Sequence, residues 1–375
     1  MKNLNQLYKD KFDSADRMIE IPFKDKGKET KLSVAVIDPR PDLDIAETSV
    51  ITLGLSAFNK GKDKFELFIG IVGSFEEKQL ALLVQSALKL LPADGHCYDG
   101  QLDENGGLAT FKENGISTIL YANRGLMDED YLDEDKDMIR LMEPVPLFVP
   151  ELKSIAGEYI NDRSTIVYQS GVVHRDPERK PEQYNLSQIA VFNVWTMILV
   201  WYKEQGVKQY DVLNDTLRLD AKAVTFDYLP EEIRADLPPS FCASLTVMNH
   251  EVHVNSYSLF DAERVKEIYD EMNEMLNDGT FNDYHENVLE SDKIINKWWS
   301  SSWIPFAMNG GGDLLCIDLS PDKKGIKGQV INFFNDQGPS ETEYPSYFHW
   351  LLSYKSDLQA SNYQVTKSGL IEEAS

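Results

Sequence analysis

Four places in this chain carry residue types that could do chemistry. His250 and His253 stand three apart in HEVHV, near a metal-ligand spacing. They fall where a turn runs into a strand, and alternate strand residues face opposite sides, so the two imidazoles diverge. The HExxH helix of a zinc protease is absent. His96 adjoins Cys97, with no second ligand in frame. Asp313 and Asp318 border a glycine-rich turn. Five is an odd offset along a strand, so their carboxylates point apart and would hold one cation poorly. Asp313 reads instead as a turn residue bonding its own backbone. The acidic run 128–137, DEDYLDEDKD, lacks the DxDxDG frame of a calcium loop. It reads as a solvated acidic loop or as a contact surface for a basic partner. No GxSxG, P-loop, dinucleotide fingerprint or Cys/His dyad is present. The expectation is a protein with no catalytic residues, no cofactor and no metal. The candidate partner contacts are Asp128, Glu129, Asp130, Asp133, Glu134 and Asp135 of that run, with Trp299 and Asp313 on the rim of the glycine turn. Tryptophan is enriched at binding hot spots, although two of Trp298, Trp299 and Trp303 belong to a core.

A chain of 375 residues suits two domains. The net charge of −25 repels phosphate backbones, which argues against nucleic acid as a partner; it reads either as a solubility trait alone or as a field that steers a basic protein partner. Three widely spaced cysteines give no zinc pattern and fit a reducing compartment. Cys242 and Cys316 sit in apolar surroundings and read as buried thiols. The N-terminus has no apolar targeting core, and the most apolar helical stretch, 189–201, is too short to cross a bilayer. A cytoplasmic protein with no membrane partner is expected.

The elements that must position these residues alternate between strand and helix patterns. Residues 1–31 read as a short amphipathic helix and a loop. Strands are expected at 32–37, 48–57, 65–72 and 116–122, with Gly54 marking a bulge. Residues 76–91 place Leu80, Leu83, Val84, Ala87, Leu88 and Leu91 on one helical face. Residues 138–149, with Pro144 and Pro146, read as an extended edge, followed by a helix at 151–159. The proline-containing polar stretch 168–186 reads as a linker between a domain at 1–167 and one at 187–375. In the second domain, Ser187 precedes a helix over 188–204 that stops at Gly206, and Asp261 caps a second ending at Gly279. A β-meander follows, with strands at 303–307, 314–319 and 329–334, and an aromatic helix at 344–356 closes the core. The fold class is α+β, two domains, each a mostly antiparallel sheet packed with helices.

Two stretches carry family resemblances. Over about residues 30–165, Thr52-Leu53-Gly54-Leu55-Ser56, then Glu66-Leu67-Phe68, the long helix, and Pro144-Val145-Pro146-Leu147 with Glu151 follow the order of a suppressor-of-fused-like domain. That resemblance implies an α+β protein-interaction domain without catalysis. Over about residues 187–365 the chain resembles the SUKH superfamily, in particular its fungal cell-wall-assembly-regulator-like branch. The residues that carry this are Leu237-Pro238, Ser258-Leu259-Phe260, Trp298-Trp299 and Trp303-Ile304-Pro305-Phe306-Ala307. They continue with Gly310-Gly311-Gly312-Asp313, Leu315-Cys316-Ile317-Asp318-Leu319, Pro321, Gly325 and Gly328-Gln329-Val330-Ile331. Where relatives often have an acidic or His-containing turn, this chain has Asn249-His250, so no role of that turn is carried over. The resemblance implies a non-enzymatic binding domain. Many bacterial members look like immunity proteins that block nuclease or deaminase toxins by direct contact, and fungal members act in cell-wall and signalling regulation. The expected function is therefore an immunity protein that binds a cognate, basic toxin domain. The alternative is a regulatory scaffold in cell-wall or signalling control.

Overall fold

The computed structural model describes residues 16–25, 27–39, 47–55, 64–72, 77–78, 80–81, 84, 87, 99–103, 116–126, 139–172, 185–282, 284 and 291–374. The chain forms two compact units, and the fold is α+β. Unit 1 comprises 1–153, 163–165 and 172–184, and unit 2 comprises 154–162, 166–171 and 185–375.

Unit 1 holds strands β1 (Arg17–Asp25), β2 (Lys28–Ile37), β3 (Glu47–Leu53), β4 (Lys64–Val72), β5 (Gln101–Asp103), β6 (Ile116–Leu126) and β7 (Ile139–Phe148). They form one sheet in the order β1-β2-β3-β4-β7-β6-β5. Its pairs are antiparallel except β4 with β7. Residues 17–25 correct the helical reading of the N-terminal stretch. Ile19, Ile21 and Phe23 alternate with Met18, Glu20 and Pro22, and Ile21 and Phe23 enter the core while Glu20 and Pro22 stay exposed. The period of two wins over the mixed charge around it. Residues 77, 78, 80, 81, 84 and 87 are helical, and Leu80, Val84 and Ala87 join the same core.

The proline strand β7 is central in one half and single-sided in the other. Its residues Ile139–Met142 pair with Lys64–Leu67 of β4, and beyond Met142 that register ends while pairing with β6 continues to Phe148. Pro144 and Pro146 lie in the single-sided half. Two apart, both nitrogens face away from β6, so no ladder bond is lost.

Buried Glu66 explains the Thr-Leu-Gly-Leu stretch. Its carboxylate accepts from Thr52 Oγ1 at 2.6 Å, the Gly54 amide at 3.0 Å and the Leu55 amide at 3.1 Å. Gly54 has φ +101°, a conformation that glycine adopts without strain, and it turns the chain off the end of β3.

Unit 2 includes the helices α1 (Ile160–Ser170), α2 (Leu186–Gln205), α3 (Pro239–Val247), α4 (Ala262–Asn277) and α5 (Tyr347–Gln359). Asn185, two residues before the expected Ser187, caps α2 by accepting from the Gln188 amide, and Gly206 ends it at φ 72°. Asp261 caps α4 through the Arg264 amide. Residues 239–247, for which no element is expected above, form a helix with Pro239 in its first turn. Strands β8 (Val252–Val254), β9 (Tyr257–Leu259), β10 (Trp303–Asn309), β11 (Leu314–Asp318), β12 (Gln329–Phe334) and β13 (Gly338–Glu341) form a six-stranded sheet in the order β13-β12-β11-β10-β9-β8. All its pairs are antiparallel; β10, β11 and β12 are the three expected strands of the meander, and β8, β9 and β13 extend it on both sides. A small hairpin, β14 (Tyr363–Val365) with β15 (Ile371–Glu373), follows α5. Helices α2, α3 and α5 pack together, and α4 packs against β10.

Candidate partner-binding site

The structure describes some of the residues singled out in the sequence and not others. Asp128, Glu129, Asp130, Asp133, Glu134 and Asp135 lie outside the described residues, as do His96 and Cys97. Trp299 corrects the reading of an exposed rim. It is 1% exposed and meets Trp303 and Phe333 edge to face, with ring centroids 5.6 and 5.2 Å away. Three bulky rings at a sheet end bury more apolar area together than any of them could expose to a partner. Asp313 is half-buried in the β10–β11 hairpin. It accepts from the Asn309 side chain at 2.8 Å and from the Asn335 backbone at 3.0 Å, so it ties two hairpins together rather than bonding its own backbone. His250 Nδ1 lies 2.9 Å from its neighbour's carbonyl, and His253 Nδ1 lies 2.7 Å from Ser258 Oγ. Among the described residues no group of three His, Cys, Asp or Glu side chains could hold a metal ion. Cys316 is buried and Cys242 only half-buried, and burial pushes the Cys242 thiol up to about 12.

Asp318 has a structural reason to be where it is. Trp303, Asp318 and Gln329 stand in register across β10, β11 and β12. Trp303 Nε1 donates to Asp318 Oδ1 at 3.2 Å, the Ser320 amide donates to the same oxygen at 3.0 Å, and Gln329 Nε2 donates to Oδ2 at 3.1 Å. Burial pushes this carboxyl up to about 6 against the pull of those three donors. Gln329 also donates to the Lys293 carbonyl at 2.9 Å. That carbonyl accepts from the Asp322 amide at 3.1 Å. The turn thus closes on the 291–294 segment, and a Cβ on Gly325 would stand 2.1 Å from the same carbonyl oxygen. Only glycine allows that approach.

A second buried acid organises the helices of unit 2. Glu158 accepts from the Ser240 amide at 2.5 Å, from Ser240 Oγ at 2.9 Å and from Ser187 Oγ at 3.0 Å. Burial pushes its carboxyl up to about 8. It thereby ties the first turns of α2 and α3 to the segment preceding α1.

The concave surface with unspent chemistry lies elsewhere in unit 2. It is a cleft of about 470 Å³ built from α5, the β14–β15 hairpin, β12 and the β8–β9 turn. Helix α5 supplies Trp350, Tyr354 and Asp357 at i, i+4 and i+7, one helical stripe. Trp350 and Tyr354 stack with rings 6° from parallel, and Tyr354 meets Tyr363 at 5.8 Å. Tyr363 and Glu373 are directly opposed across β14 and β15, which puts both side chains on one face. Glu341, Glu343, Asp357 and Glu373 line the cleft, and among the described residues no lysine, arginine or histidine does. Glu341 is paired with Lys293 at 2.7 Å. Among the described residues no cation pairs with Glu343, Asp357 or Glu373; Asp357 accepts from the Asn362 amide and Glu373 from the Asn255 amide. The tyrosine hydroxyls register this surplus. Tyr363 is pushed up to about 12 by burial and then by Asp357 and Glu373, and Tyr344 is raised by burial and then by Glu343. These carboxylates escaped the sequence reading because 343, 357 and 373 share no motif; only the return of α5 and its hairpin gathers them.

Residues 222–353 match the model of the SMI1 / KNR4 family (SUKH-1). That match covers about a third of the chain. The cleft draws most of its lining from this matched SUKH-1 segment, with Tyr354, Asp357, Tyr363 and Glu373 just beyond it. A KNR4/SMI1 homolog from Kluyveromyces lactis is 33% identical over 70 residues, which is 19% of this chain and 13% of that protein's length. Among solved structures, a suppressor-of-fused homolog from Neisseria gonorrhoeae superposes with TM-score 0.36 and 16% identity over 47% of this chain and 94% of its own. Drosophila Suppressor of Fused gives 0.34 and 10% over 92% of this chain and 88% of its own. Likenesses this loose do not bear on what the chain does. No helix among the described residues is long and apolar enough to cross a membrane.

Proposed function

We propose that this chain is a non-enzymatic, cytoplasmic immunity protein that binds and neutralises a basic toxin domain of nuclease or deaminase type. The observation that carries this reading is the cleft, where three carboxylates with no cationic partner among the described residues are gathered at the C-terminal edge of the segment that matches SUKH-1. A nuclease presents cations to its phosphate substrate, so an acidic inhibitor covers that site and gains association rate from long-range attraction. The net charge of −25 supports the same partner chemistry. The test is co-expression with the toxin domain encoded beside this chain. Rescue of growth and an isolable complex are expected, and the absence of both overturns the reading. The match to a fungal KNR4/SMI1 homolog favours a second reading, a regulatory scaffold. That reading predicts capture of wall-synthesis or signalling proteins and no protection from toxin.

A further inference from the structure

We propose that the cleft between α5, the β14–β15 hairpin and the face of β12 receives an arginine side chain of a protein partner; the proposal rests on the protein-binding reading above. Charge sets the first condition. Among the described residues the lining carries four carboxylates and no basic residue, and of the four only Glu341 is neutralised, by Lys293. An occupant that left Glu343, Asp357 and Glu373 uncompensated would add desolvation to their mutual repulsion, so a cation is required.

Geometry selects the kind of cation. A divalent metal needs several oxygens converging at about 2.0–2.6 Å. No such group exists among the described residues, and Glu343, Asp357 and Glu373 reach the cleft from three separate segments, the loop after β13, α5 and β15. A broad, delocalised cation suits that spread. The guanidinium group is planar, donates through five N–H groups and stacks on aromatic faces, whereas an ammonium is compact and holds its water. Trp350, Tyr354 and Tyr363 line the cleft; the half-buried Tyr363 ring is the face open to such a cation, and Trp350 and Tyr354 back it. This backing is preorganised, because the Tyr354 hydroxyl is held 2.7 Å from the Tyr202 hydroxyl. Asn332 on β12 lines the cleft and its amide makes no side-chain hydrogen bond among the described residues, leaving a carbonyl for a guanidinium donor. A volume of about 470 Å³ exceeds one side chain, which leaves room for the flanking peptide.

The test uses the full chain and the peptide Ac-Gly-Gly-Arg-Gly-Gly-NH2, followed by NMR at the Trp350 indole. The arginine peptide is expected to shift that resonance and to bind about tenfold more tightly than its citrulline counterpart, and more tightly than its lysine counterpart. Glu343→Gln with Asp357→Asn and Glu373→Gln should weaken it about tenfold. Glu263→Gln with Glu271→Gln and Glu274→Gln removes the same charge from the exposed face of α4 and should leave binding within about twofold. Equal loss in both triple variants, or equal binding of the citrulline or lysine peptide, overturns the proposal. Should the cleft triple variant fail to fold, exposed Glu343→Gln alone should still weaken binding measurably, and no change overturns the proposal. A toxin complex that forms equally well with the cleft variant removes the cleft from the interface while leaving the immunity role standing. Failure of any toxin complex, with the peptide still bound in the cleft, refutes the immunity role alone.

Discussion

Two regions of unit 2 treat negative charge in opposite ways. Under the meander, Asp318 takes donors from Trp303, Ser320 and Gln329 and is fully buried. In the cleft, Asp357 and Glu373 each receive one neutral amide and face a concave, partly open surface. A carboxylate that serves folding is surrounded by donors supplied by its own strands. One that serves a partner leaves those positions vacant. The difference separates two sets of residues with identical chemistry, and substitutions should fall on either side of it.

The largest effect is expected at Asp318. Asp318→Ala strands the buried Trp303 and Gln329 donors and should cost about 3 kcal/mol, read from chemical denaturation. Gly325→Ala should cost about 2 kcal/mol, because its Cβ meets the Lys293 carbonyl and the turn must move off the 291–294 segment. A melting temperature equal to wild type would break that assignment.

The pH response of Glu158 comes next. Its folded value, about 8, lies above the unfolded 4.5, so the proton contributes stability that is complete below 4.5 and is lost as pH rises through about 8. Glu158→Gln should flatten that part of the stability–pH curve, and an unchanged slope would assign the titration to another group. The smallest effect belongs to the cleft. Neutralising Glu343, Asp357 and Glu373 should change stability by no more than about 0.5 kcal/mol, with any change favourable because like charges are relieved. A large loss would move these carboxylates to the folding side of the comparison.

The meander and its helices were legible in the sequence because local patterns suffice for them: the Asn309–Gly312 turn, the Asp261 cap and the Gly206 stop each act within a few residues. Long-range partnerships were not legible. Glu66 looked like one polar residue in a strand until the turn after β3 brought the Gly54 and Leu55 amides onto it. Trp299 looked like a rim residue because nothing in its neighbourhood in sequence shows Phe333 waiting across the sheet. The N-terminal hairpin was hidden by charges that decorate only the exposed side of β1 and β2, such as the Lys31–Glu20 pair. The cleft needed residues 332, 343, 357 and 373 together, and no periodicity links them.

The proline pair of β7 has a consequence for the life of the chain before it is fully folded. A half-strand with one neighbour exposes a row of hydrogen-bonding groups whenever its cover opens, and such rows recruit other chains. At Pro144 and Pro146 that row has no hydrogens to offer. An incoming strand would find no donor at these two positions, so the segment resists templating intermolecular β-structure while its inward side still completes the ladder with β6.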